Sequence, residues 1–150
     1  MTVANFADLC RDLCEVTGAS APDLAPDESG GLALEIQLTN VDVVLAHEPT
    51  SHPNRAVATV TLGQLPAGRE LDACHALLNI NIHVLGAGSA FSRDPVTGDV
   101  VLRHIYHFGH ATAVDLYLRL MTMAEAVTRW RQHYFLMEVG QGAEPEAMAA

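Results

Sequence analysis

The chain has 150 residues, of which 49% are apolar and 17% charged, a balance that suits one globular domain and excludes a disordered chain. Eighteen acids against eight arginines, with no lysine, give a net charge of −10 with histidine neutral. That excludes nucleic acid as a partner, which needs clustered cations, and disfavours anionic membrane surfaces.

The first predicted helix runs from about Val3 to Thr17, with Phe6, Leu9, Leu13 and Val16 at helical spacing and Gly18 as its stop. Cys10 and Cys14 widen its stripe. They and Cys74 read as small buried residues, with no fourth ligand to complete a metal site. The odd cysteine count and the lack of a signal-peptide pattern lead to an expectation of a reducing cytoplasm. No apolar run is long enough for a membrane span. Residues 19–31, "ASAPDLAPDESGG", are a loop.

Three strands follow. "LALEIQL" puts Leu32, Leu34, Ile36 and Leu38 on one side; Thr39 and Asn40 turn the chain into "VDVVLAH", where Val41, Val43 and Leu45 share a face. After "EPTSHPN", the run "AVATVTL" points Ala58, Val60 and Leu62 inward. This is an antiparallel meander with one apolar face.

The second helix spans roughly Arg69 to Leu85 and carries two apolar stripes. Leu71, Cys74, Leu78, Ile82 and Leu85 form one; Ala73, Leu77, Ile80 and Val84 form the other. A surface helix of a monomer needs one stripe, so the second points to another subunit. "AFSRDPVTGDVVLRHIYHF", residues 90–108, is a hairpin: Asp94 and Pro95 open its turn and Gly98 closes it. A last helix starts near Thr112, where Thr112 and Asp115 have capping-box spacing. It carries Leu116, Leu120, Met123, Val127, Trp130 and Tyr134 and ends near Gly140. Residues 1–139 form a single α+β domain, α-βββ-α-ββ-α, with an antiparallel sheet packed by helices; 140–150 read as a disordered tail.

Catalytic and metal motifs are sparse. The sequence has eight histidines, but His104 and His107 face opposite sides of a strand and His110 lies beyond it. Metal ligands must converge on one point, so no metal site and no cofactor are expected. "GAGS" at 86–89 follows a helix where a phosphate loop must precede one. Ser89 and Ser92 lack the strained elbow of a hydrolase nucleophile.

The helix "LDACHALLNINIHVLG", the hairpin and the closing "AVTRWRQHYF" resemble the class I type III secretion chaperones, the Tir-chaperone (CesT-like) family. Phe91, Asp94, Pro95, Thr97, Gly98, Val100, Val101 and Leu102 match that family's "D-P-x-T-G" hairpin; His104, Tyr106 and His107 depart from it. The resemblance covers about residues 3–137. It implies a homodimeric, non-enzymatic, bacterial cytoplasmic chaperone. Such a protein binds the N-terminal region of a secreted effector in extended form and delivers it for export, with the secretion ATPase as a further contact. An extended client can add a strand to a sheet edge while its side chains fill pockets. On that basis Phe6, Leu9, Leu13, Leu34, Ile36, Val43 and Leu45 are candidate effector-binding residues, although the same residues suit the subunit's own core. Cys74, Leu78, Asn81, Ile82 and Leu85 are candidates for the dimer interface. The alternatives are a small α+β ligand-binding or enzyme domain using the histidines, and a dimeric regulatory adaptor.

Overall fold

The computed structural model describes residues 5–84 and 88–136. Its elements are α1 (Phe6–Thr17), β1 (Leu32–Leu38), β2 (Val41–His47), β3 (Arg55–Gly63), α2 (Glu70–Val84), β4 (Ser89–Arg93), β5 (Val100–His107) and α3 (Ala113–His133). The strands form one sheet in the order β1-β2-β3-β5-β4, and every neighbouring pair is antiparallel. The expected order of elements therefore holds.

Local chemistry sets the joints. Asn5 caps α1 by accepting from the Asp8 N–H at 2.9 Å, so the helix begins three residues later than the spacing predicts. Val3 lies outside the described residues. Thr39 and Asn40 take positive φ, the geometry that lets a two-residue turn follow the twist of β1 and β2. Asp94 holds the β4–β5 turn: its carboxylate accepts from the Val96 and Thr97 N–H groups, and Gly98 supplies positive φ. Thr112 and Asp115 form a full capping box on α3.

The last helix ends at His133, not near residue 140. Tyr134 and Phe135 turn left-handed, with φ of 57° and 59°, and the Tyr134 N–H closes on the Trp130 carbonyl at 2.7 Å. This reversal returns Phe135 to the core, edge-on to Phe91 at 6.0 Å. Residues 140–150 lie outside the described set.

The core sits on one face of the sheet. Helix α3 packs on β3 and reaches β1 and β2, α1 packs on α3, and α2 packs on β4. Val43, Leu45, Ala58, Val60 and Leu102 meet Leu9, Leu13, Leu116, Leu120 and Val127 in one cluster. Each such buried leucine stabilises the fold by about 1.5–3 kcal/mol. At the end of β2, His47 is buried with its ring stacked on Phe6 at 5.2 Å and Nδ1 2.9 Å from the Arg55 carbonyl.

Candidate functional site

Helix α2 divides its two stripes as the two-sided pattern requires. Ala73, Ala76 and Leu77 are buried against the subunit, and Ile80 packs at the margin of the core. On the opposite side Leu71, Leu78 and Ile82 are 68%, 62% and 75% exposed. Cys74 is half-buried between the two sides. Leu85 lies outside the described residues. Large apolar residues lined up in this way on one helix form an exposed patch of the kind that marks an interaction surface.

Asn81 plays a different part from the one its neighbours suggest. It accepts from the Phe91 N–H at 2.7 Å and donates to the Phe91 carbonyl at 2.9 Å. Its amide thus takes the place of a paired strand residue at the free edge of β4. Its first engagement is inside the subunit. The signal in the sequence was an amide set apart from the polar line of Asp72, His75, Asn79 and His83 on the same helix.

The residues expected to meet an effector are core residues. Phe6, Leu9, Leu13, Leu34, Ile36, Val43 and Leu45 are all 9% exposed or less. The reason is long-range: α3 packs on the meander, and α1 packs against α3 with Phe6 stacked on His47 of β2, so the stripe of α1 closes inward and forms no open wall. In this subunit their side chains offer no free surface, and the reading of them as core prevails.

Sequence reasoning missed a cleft of about 450 Å³ between α2, β4 and α3. Ile80, Phe91, Leu102, Met123 and Phe135 give it apolar walls, while His83, Arg119 and Arg129 supply polar groups. Phe135 reaches it only through the reversal after α3. A smaller cavity of about 210 Å³, lined in part by Cys74, Leu78 and Asn81, adjoins the exposed stripe. Both are suited to apolar side chains flanked by polar groups.

The histidines that depart from the hairpin pattern have structural partners. His104 Nδ1 is 2.9 Å from the Ser89 hydroxyl, and its pKa is lowered, first by burial and then by Arg119 and His107. Ser89 is itself buried, and among the described residues no carboxylate is hydrogen-bonded to His104 to orient a nucleophile–base pair. Tyr106 donates to the Ala111 carbonyl at 2.8 Å. His107 and His110 lie with ring centroids 5.8 Å apart. Among the described residues, no three His, Cys, Asp or Glu side chains are placed to hold one metal ion. Burial and the adjacent Cys14 push the Cys10 thiol up to about 12, which suppresses the nucleophilic thiolate. No helix among the described residues is long and apolar enough to cross a membrane.

This architecture, three helices on a five-stranded antiparallel sheet with an apolar helix face left open, is that of the type III secretion chaperones. Residues 11–131 match the model of the Tir chaperone protein (CesT) family, and the chain belongs to that family. No curated protein sequence matches the chain. Among solved structures it is similar to the Yersinia pestis type III secretion chaperone SycH in complex with a stable fragment of YscM2. That match has 16% identity and a TM-score of 0.62 over 82% of this chain and 97% of that one. It is also similar to the ExoU–SpcU complex from the type III secretion system of Pseudomonas aeruginosa, with 19% identity and a TM-score of 0.60 over 81% and 94% of the two chains. A third likeness, to the ExsC–ExsE complex, has 20% identity and a TM-score of 0.62 over 84% and 90%. At these identities the likeness is one of fold.

Proposed function

We propose that the protein is a bacterial cytoplasmic chaperone that works as a homodimer. It holds the N-terminal region of a secreted effector in extended form and keeps it competent for export, with no catalytic step. The observation that carries this reading is the open stripe of Leu71, Leu78 and Ile82 on α2, in a chain whose family is one of chaperones. A second copy closes the stripe about a two-fold axis, since obligate interfaces resemble a core cut in half. The cleft between α2 and α3 receives apolar side chains of the client. The effector candidates named from the sequence act through the platform they build: their burial sets the positions of α1 and α3. The complexes of SycH with YscM2 and of SpcU with ExoU support a polypeptide client for a chain of this fold.

The experiment is capture of clients from the native host, with the bound polypeptide identified by mass spectrometry and then truncated. The expected result is a secreted protein retained through its N-terminal region, at a stoichiometry of one client to two chaperone chains by light scattering. Retention of only non-secreted proteins, or of a client through a folded C-terminal domain, overturns the reading.

A further inference from the structure

The sheet has a second face, turned away from α1 and α3. There Ala46, Val57, Thr59 and Arg103 alternate with the core residues of β2, β3 and β5. At one end it is hollowed into a cavity of about 270 Å³, lined by those four residues, by Arg55, and by Glu48 and His52 from the β2–β3 connection.

The arginines here differ from four others in the chain. Arg11 pairs with Asp8 at 3.0 Å and Arg69 with Asp72 at 3.3 Å, while Arg93 and Arg131 donate to backbone carbonyls. Among the described residues, the guanidinium groups of Arg55 and Arg103 make no hydrogen bond and no ion pair. Arg55 Nε is moreover shut off from solvent without an acceptor. Carboxylates are not scarce, since acids outnumber arginines eighteen to eight. Glu48 lines the same cavity but forms no ion pair with either arginine. Two unspent planar forks in one hollow match carboxylates, which they bind through paired N–H donors. Val57, Ala46 and Thr59 add an uncharged part of the lining, and the two arginines outnumber the single carboxylate of Glu48.

We propose that this cavity binds carboxylate side chains of an extended acidic segment of the client, a site separate from the α2 stripe and the α2–α3 cleft. The inference rests on the client-binding reading above. Arg55 faces His107 and Arg103 faces Thr59 in the β3–β5 register, four positions apart along the strands, so the carboxylates come from residues four apart on the segment. Residues four apart on an extended chain project to the same side about 13 Å apart. A chain with a net charge of −10 repels acidic polypeptides generally, so a local cationic hollow selects where such a segment settles.

The test uses the full chain, isotope-labelled so that the arginine Nε–H signals are resolved by NMR. The probe is a blocked peptide of alternating Thr and Glu, and the control is its Thr–Gln counterpart. The expected result is that the Thr–Glu peptide moves the Arg55 and Arg103 signals. Affinity should fall about tenfold between low salt and about 0.15 M. The Thr–Gln peptide, and an Arg55→Gln, Arg103→Gln double variant of unchanged Tm, should bind about tenfold more weakly or less. Equal binding by the control peptide or by the variant overturns the site. So does a response to inorganic phosphate with none to Thr–Glu, which leaves a small-anion site only. The full-length variant Glu138→Gln, Glu144→Gln, Glu146→Gln tests the chain's own acids: if the free protein's Arg55 and Arg103 signals shift, those carboxylates fill the hollow and the inference fails. Client capture by the double variant equal to wild type, with the same salt dependence, overturns this inference alone. Absence of any secreted client from wild type overturns the parent reading, and the inference with it.

Discussion

At the scale of single residues, one polar side chain joins α2 to the hairpin and a polar pair bridges the hairpin's own strands. Asn81 satisfies both backbone groups of Phe91 in a half-buried place. Removing it leaves an N–H and a C=O short of partners, so Asn81→Ala should lower stability by about 1–3 kcal/mol by chemical denaturation. A change within error would mean that water replaces the amide at no cost. Ser89 and His104 hold the pair two positions along the ladder, and their bond has a pH signature. Burial, with Arg119 and His107 adding to it, lowers the His104 pKa, so the folded state keeps the ring neutral where the unfolded chain takes a proton near pH 6.5. The stabilisation from this group is complete above that pH and is lost as pH falls through the folded value. The Tm should drop between about pH 7.5 and about pH 5.5, and drop less in His104→Gln. Equal slopes for the two proteins would remove His104 from the account.

At the scale of elements, α2 is the informative one because its two stripes have opposite fates. Leu77 points into the subunit and Leu78, one residue on, points out. Leu78→Asp should leave a folded chain by circular dichroism but shift the assembly from dimer to monomer by light scattering. Leu77→Asp should unfold it, since an unpaired charge in a core costs several kcal/mol or more. A dimer surviving in both Leu78→Asp and Ile82→Asp would move the seam off this helix. The ends of elements were less legible than their existence. The Thr39–Asn40 turn and the Thr112 capping box could be named from residue type, because each is decided by its own backbone. The stop of α3 could not: "HYFLMEVG" contains no Gly or Pro before residue 140, and the left-handed Tyr–Phe pair brings Phe135 to Phe91, a partner distant in the sequence.

At the scale of the molecule, alternation along each strand revealed which side chains point inward but not what covers them. The burial of Phe6, Leu9 and Leu13 depends on α1 packing against α3, a contact between the two ends of the described chain that no local pattern encodes. The unpaired state of Arg55 and Arg103 was equally invisible, because scattered arginines look alike until β3 and β5 are placed side by side. The sheet order has one more consequence, through Asn81. A sheet with two open edges can recruit copies of itself at both, and head-to-tail addition that does not close on itself grows a filament. Here the two edges differ. Among the described residues, β1 has no backbone partner on its outer side, whereas β4 is stoppered at Phe91 by a side chain of its own subunit. The two ends of the sheet are therefore not equivalent: the β1 edge leaves its outer backbone groups open to a foreign strand, while pairing along β4 is interrupted at Phe91.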